Sequence, residues 1–256
     1  MAHRQHSLKY EYELYVEREI ENYKESVPRR VILAIGDEAV KALDEASQLA
    51  LTELLLCAEV DRIVKARLRL PSYDAWRKRR IKALADFQRP ERWGMRADTP
   101  LVREVKPNSD GHVLVAGANA EGPALYLAAN GCDVTALDRE EEVLERVYTA
   151  AAEVGLTSRI RGLVADLASW SPDMPLNAVV CAAAAFAGLT DDERRRAIAL
   201  LQSATTAGGV HLVETSAHGV RLFPIEELRA VYRGWQVTID RGGTSGETFL
   251  ARKYVA

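Results

Sequence analysis

A chain of 256 residues can form one large domain or two modest ones. Its 48% hydrophobic and 28% charged residues describe an ordinary soluble globular protein, and a net charge of −3 gives the whole molecule no pull toward nucleic acid or anionic membrane. No apolar run approaches bilayer length, and the N-terminal MAHRQHSLKYEYE lacks a secretory h-region. Cys57, Cys132 and Cys181 lie far apart in apolar contexts with no metal-ligand spacing, so free buried thiols in a reducing cytoplasm, and no metal, are expected.

Residues 8–106 read as helix almost throughout. LKYEYELYVEREIENYKE carries an uneven stripe at Leu8, Tyr12, Tyr15, Glu19 and Tyr23, and Pro28 ends it. A second helix is expected from about Asp37 to Leu70, with the run LALTELLLCAEV apolar on most faces and therefore buried. Pro71 and Ser72 give a stop and a new cap before YDAWRKRRIKALADF. The connector FQRPERWGMRADTP has no clear period, and PNSDG at 107–111 marks the best boundary. The expected division is therefore an all-helical domain at 1–107, acting as a cap or dimerisation element, and an α/β domain at 108–256.

Nine basic residues fall between Arg62 and Lys82 against the single acid Asp74. Such a run is either a phosphate-binding face for RNA or a solvated helix face balanced by the acidic first helix. Of the four tryptophans, Trp76 is the one interleaved within it in the manner of a stacking platform.

From His112 the pattern alternates. The stretch HVLVAGANAEGPALYLAANGCDVTALD reads as strand, glycine turn, helix, strand and acid, a βαβ unit with a nucleotide site at its strand ends. Pro123 suits the first helical turn and Gly131 the stop. Asp138 is placed to accept hydrogen bonds from both hydroxyls of a ribose. Gly117, Asn119 and Gly122 fit G-x-G-x-x-G with the middle glycine replaced by Asn, the residue that best tolerates positive φ after glycine. Beyond it come a helix at 140–154, a strand RIRGLVAD ending on Asp166, and a strand AVVCAAAAF. A helix capped by Thr190 and Asp191, a strand GGVHLVET and a helix opened by Pro224 follow. WQVTID and TFLARKYV, joined by RGGTSGE, close the chain as antiparallel neighbours.

These residues resemble the class I methyltransferases that use S-adenosylmethionine (SAM), and GPALYLAANGCDVTALDRE resembles the tellurite-resistance and thiopurine methyltransferase branch. The resemblance runs from about 112 to 256. It implies a seven-stranded, mostly parallel Rossmann-like sheet with a terminal antiparallel hairpin whose last strand inserts between two others. It further implies SAM held by Gly117, Ala118, Asn119, Glu121 and Gly122 at the turn, and by Asp138 and Arg139 after the second strand. Asp166 and Leu167 after the third strand and Cys181 and Ala182 after the fourth complete the implied set. This chain departs from the family in carrying Val115 where an acid usually stands two residues before the first glycine. It also has alanines where amino-group methyltransferases often carry Asn/Asp-Pro-Pro-aromatic, which argues against methylation of adenine or glutamine nitrogen.

Methyl transfer from a sulfonium is in-line displacement, in which the protein's part is positioning. A thiolate, selenide or tellurite acceptor needs little base, whereas a hydroxyl or amine needs one. His211, Glu214 and His218 are the candidate bases; Glu214 and His218 sit just beyond the fifth strand, while His211 inside that strand reads as a core histidine. Trp93 and Arg96, just before the first strand, are candidate lid residues. The leading expectation is a methyltransferase for a small-molecule acceptor, as a monomer or homodimer. An RNA methyltransferase using the 62–82 face and a catalytically silent methyltransferase-fold binding protein are the alternatives, with a nicotinamide oxidoreductase last.

Overall fold

The computed structural model describes residues 7–45, 53–105, 111–117, 121–217, 220–221, 224–243 and 246–255. The chain divides into two compact units, Met1–Ala83 and Leu84–Ala256. Residues 107–110 of the PNSDG boundary lie outside the described residues, and the division between the two units falls earlier. The reason is packing: Phe87, Trp93, Met95, Leu101 and Val105 join the core of the α/β unit.

The first unit is helical. Ser7 caps α1 (Leu8–Ser26) by accepting the N–H of Tyr10. Its inward line is Val16, Ile20 and Tyr23, while Tyr12 and Tyr15 meet Trp76 instead. The expected second helix is in fact two elements, α2 (Arg29–Glu45) and α3 (Glu53–Leu68). Val31, Ile35, Ala39 and Leu43 recur every fourth residue and bury one stripe, so α2 begins directly after Pro28 rather than at Asp37. Residues 49–52 of the Leu-rich run lie outside the described residues; in the rest, Leu56 and Val60 pack on the core, but Leu54 is 82% exposed and Leu55 and Cys57 are exposed as well, against the expected burial. An apolar run without period does not say which face turns inward; here Ile63 and Val64, further along α3, supply the core. Helix α4 (Tyr73–Phe87) follows the predicted span, and Tyr12 donates its hydroxyl to Pro71 O at 2.8 Å.

The second unit carries the short helix α5 (Pro100–Glu104) ahead of one seven-stranded sheet. Its strands are β1 (His112–Ala116), β2 (Asp133–Asp138), β3 (Ile160–Val164), β4 (Leu176–Cys181), β5 (Thr205–Glu214), β8 (Trp235–Gly243) and β9 (Gly246–Lys253). The short pair β6 (Ser216–Ala217) and β7 (Val220–Arg221) stands apart. The order across the sheet is β3-β2-β1-β4-β5-β9-β8, with β9 antiparallel to both neighbours and the others parallel. The inner strands β1, β2 and β4 are covered on both faces, which is why they read as largely apolar runs, whereas the edge strands β3 and β8 keep exposed residues. Val113, Val115, Val210 and Leu212 meet α6 (Glu121–Ala129) and α7 (Glu141–Val154) in one core. Leu114, Ala116, Val179 and Val213 meet α8 (Asp191–Ala204) and α9 (Ile225–Val231) in the other. Thr190 and Glu193 form a capping box that starts α8. At the open edge, the Tyr148 hydroxyl accepts the N–H of Gly162 in β3 at 2.6 Å, covering a donor that would otherwise invite a foreign strand. Among the described residues, no helix is long and apolar enough to cross a membrane.

Candidate functional site

Strand order reverses between β1 and β4, because β1 leads to β2 on one side and β4 to β5 on the other. In an open α/β sheet, that reversal leaves a crevice beyond the strands' carboxyl ends. Three backbone bonds of 2.9 Å fix its floor: Gly117 N–H to Leu137 O, Ala165 N–H to Asp138 O, and Ala182 N–H to Ala116 O. Above them lies a cavity of about 240 Å³ walled by Ala116, Gly117, Leu137 to Glu140, Ala165 to Leu167, Ala184, Ala185 and Ala187.

Five of the expected ligand residues share this wall: Gly117, Asp138, Arg139, Asp166 and Leu167. Asp138 Oδ1 accepts the N–H of Glu140 at 3.0 Å, which orients the carboxylate and leaves its other oxygen for a ligand hydroxyl. Asp166 Oδ1 accepts the N–H groups of Ser169 (2.8 Å) and Ala168 (3.0 Å). These bonds, Ser169 foremost, together with the nearby Arg139 charge, hold its carboxyl below the usual carboxylate range. Leu167 is buried beside it. A guanidinium nitrogen of Arg139 lies 3.4 Å from where a Cβ on Gly188 would stand, so this side chain reaches across to the chain after β4.

Gly117 has φ +69°, and a Cβ there would stand 2.8 Å from Ala185 N and 3.0 Å from Ala185 Cβ. Only glycine permits both the left-handed backbone and that approach. The AVVCAAAAF run is therefore not strand throughout: β4 stops at Cys181, and Ala183–Phe186 forms a 3-10 turn over Gly117. Alanine lacks the β-branch that favours strand, and small side chains suit close passage over a glycine. The sequence reading missed this turn, and the signal for it was the alanine run itself.

The other candidates lie elsewhere. Cys181 is buried in the sheet, and desolvation pushes its thiol up to about 12. Ala182 ties the loop to β1 without lining the cavity. Glu121 pairs with Arg146 at 3.5 Å. Gly122 is a packing glycine, since a Cβ there would meet Trp93 O at 2.5 Å. Ala118, Asn119 and His218 lie outside the described residues. Trp93 gives its indole N–H to Phe87 O at 2.7 Å and packs on the core, while Arg96 is exposed and bonded to Asp98. Neither residue lines the cavity.

Of the candidate bases, His211 is fully buried, with Nε2 2.7 Å from Thr205 Oγ1 and Nδ1 2.7 Å from the Tyr232 hydroxyl. It is a satisfied core histidine. Glu214 is half-buried at the end of β5, and burial, opposed by the nearby Ala183 backbone, pushes its carboxyl above the usual carboxylate range. Among the described residues, no group of three or more His, Cys, Asp or Glu side chains is placed to hold a metal ion.

TehB from Haemophilus influenzae is similar in structure, with a TM-score of 0.51 and 21% identity over 64% of this chain. The fold is that of the Rossmann-like methyltransferases. The match spans 65% of the TehB chain, just under two thirds of its length. The N-methyltransferase NodS from Bradyrhizobium japonicum WM9 matches at 15% identity and a TM-score of 0.48, over 62% of this chain and all of that one. The glycopeptide N-methyltransferase MtfA complexed with SAM matches at 17% identity and 0.46, over 57% of this chain and 88% of that one. No protein-family model matches the chain, and no curated protein sequence does.

Proposed function

We propose that this chain is a SAM-dependent methyltransferase acting on a small-molecule acceptor. The observation that carries the proposal is the pair Asp138 and Asp166, set at the ends of β2 and β3 on one cavity whose floor is the Gly117 turn. A nucleoside fits this donor set. Asp138, with one oxygen already engaged by Glu140, offers the other to ribose hydroxyls. Asp166 and Leu167 offer an acceptor and an apolar wall to a base, and Arg139 covers that end. When bound, SAM supplies an electrophilic methyl group on a sulfonium sulfur.

The other end of the cavity is plain. Ala116, Gly117, Ala184, Ala185 and Ala187 bring no charged side chain to it, and Val115 is 3% exposed within the core. Among the described residues, backbone groups are what this end offers the donor's amino-acid portion. No histidine, lysine or tyrosine is among the described wall residues. That composition suits an acceptor that is already a good nucleophile, such as a thiolate or a selenium or tellurium oxyanion, for which positioning is the main requirement. Calorimetric titration with SAM and S-adenosylhomocysteine tests the reading. Micromolar binding that Asp138→Ala removes supports it and opens an acceptor screen, whereas a folded protein that binds neither compound refutes it.

The RNA alternative has an observation of its own. Arg62, Arg67 and Arg80 pair with Glu59, Glu38 and Glu11, while the exposed Arg77, Lys78, Arg79 and Lys82 of α4 have no carboxylate partner among the described residues. RNA retention that falls steeply with salt, and that Lys78→Glu with Lys82→Glu removes, would favour this acceptor over a small molecule.

A further inference from the structure

Helices α1 and α4 of the first unit are locked side by side. The Trp76 ring lies 5.5 Å from Tyr12 and 6.1 Å from Tyr15, and Tyr73 lies 5.5 Å from Tyr12. Arg80 pairs with Glu11 at 3.1 Å, which among the described residues is the one ion pair joining the two helices. Their outward surfaces therefore form one preorganised face.

The charges of the two helices are equal and opposite. α1 holds six glutamates against Lys9, Arg18 and Lys24, while α4 holds five bases against Asp74 and Asp86. Pairing within the unit uses only part of them: Glu11 with Arg80, Glu19 with Arg18, and Glu21 with Lys24. Glu13 and Glu17 on α1 are exposed, as are Arg77, Lys78, Arg79 and Lys82 on α4, and none has an oppositely charged partner among the described residues. Apolar side chains stand among these charges. Tyr10 and Leu14, one turn apart on α1, are 43% and 45% exposed, and Ile81 on α4 is 45% exposed. Residues three and four apart are neighbours on a helix surface, so Tyr10 and Leu14 run beside Glu13 and Glu17, and Ile81 sits beside Lys78 and Lys82.

We propose that the α1/α4 face binds a second copy of this chain, with α1 of one protomer against α4 of its partner and the reverse. A two-fold axis makes the same contact twice, so the surface must carry both halves of it. This one does: an acidic helix with an apolar line lies next to a basic helix with an apolar residue. Sign and symmetry together select the occupant, because a polyanion such as RNA drawn to α4 would be repelled by the acids of α1 alongside. The inference rests on the first unit alone and is independent of what the α/β unit binds.

Sedimentation velocity on the full chain from about 1 to 100 µM tests the proposal. The wild type should sediment as a dimer at the upper end, and the dimer should weaken as sodium chloride rises from about 50 to 500 mM. Glu13→Lys with Glu17→Lys, and separately Lys78→Glu with Lys82→Glu, should each weaken it at least about tenfold by setting like charges opposite one another. An equimolar mixture of the two variants should recover wild-type association, since each then meets the opposite sign at both contacts. If either variant fails to fold, Leu14→Ser with Ile81→Ser replaces it and should also weaken the dimer about tenfold. A wild type that stays monomeric at about 100 µM overturns the proposal. So does a dimer that neither variant weakens, or a mixture that associates no better than its parts. RNA retention by a monomer, lost in Lys78→Glu with Lys82→Glu, would refute it and assign the basic helix to nucleic acid.

Discussion

Lowering the pH from 7 to 5 should cost the α/β unit about 2 kcal/mol through one side chain, His211. Thr205 gives its hydroxyl hydrogen to Leu201 O at 2.6 Å, so its oxygen accepts from His211 Nε2–H. Nδ1 is then the bare nitrogen, accepting the Tyr232 hydroxyl at 2.7 Å. A second proton there would turn the Tyr232 hydroxyl hydrogen away from its acceptor and leave a buried charge. Burial, and after it the charge of Lys253, hold the imidazole down to about 3 from an ordinary 6.5. The sign follows from which state takes up the proton. Below pH 6.5 the unfolded chain protonates this histidine and the folded chain does not, so stability falls with pH until about pH 3. Each unit within that window costs about 1.4 kcal/mol. The carboxyls lowered in the fold, Asp166 and Asp173 among them, lose their contribution only near pH 4 and below. Glu214, raised in the fold, acts with the opposite sign. Urea unfolding at pH 7, 6 and 5 on wild type and His211→Phe isolates the term. The variant starts less stable, because Tyr232 and Thr205 lose their partner, but wild type should lose about 2 kcal/mol more than it does between pH 7 and 5. Parallel curves, or an imidazole nitrogen spectrum showing His211 charged at pH 6, would refute the reasoning.

Other expectations follow from the cavity and the core. Asp138→Ala removes a charged acceptor for two ribose hydroxyls and should weaken S-adenosylhomocysteine binding about 100-fold by calorimetry; a loss below threefold would detach Asp138 from the ligand. Because the described residues of the alanine-lined end offer no charged side chain, adenosine and S-adenosylhomocysteine should bind within about tenfold of each other, and a gap of three orders would show an amino-acid subsite outside them. Gly117→Ala combines a left-handed backbone with a 2.8 Å contact to Ala185 N, so it should lose at least about 2 kcal/mol in urea unfolding; a loss under about 0.5 kcal/mol contradicts the close approach. Native alkylation at pH 8 should label Cys57 and spare Cys132 and Cys181, and labelling of Cys181 in folded protein would contradict its burial.

The α/β half was legible because its signals are local and repeated. Asp138 and Asp166 stand at strand ends that hydrophobic runs announce, Thr190 and Pro224 mark helix starts, and a Gly-rich turn joins the closing strands. The fold's strand order was legible only through the resemblance, since pairing of β5 with β9 joins residues far apart in sequence. What stayed hidden depends on tertiary contact. Nothing local shows that Gly122 is small for the sake of Trp93 O, or that Trp93 packs on the core of the α/β unit. The alanine run was misread as strand because apolar length alone does not separate a buried strand from a buried turn. In the helical half, the fourfold spacing from Val31 to Leu43 was present, but starting the helix at Asp37 cut it in two.

The position of β9 has a consequence for how the chain is made. Synthesis runs from β1 toward β9, so β5 emerges with one flank paired to β4 and the other bare. Its eventual partner on that flank is not the next long strand, β8, but the one after it. For the time needed to translate residues 215–253, Val210, Leu212 and their backbone donors form an unpaired edge in an otherwise assembled half-sheet. Parallel pairing of β8 there would satisfy some bonds and trap the wrong order. A nascent chain stalled at Gly243 should therefore recruit chaperones or aggregate, and one released past Lys253 should not.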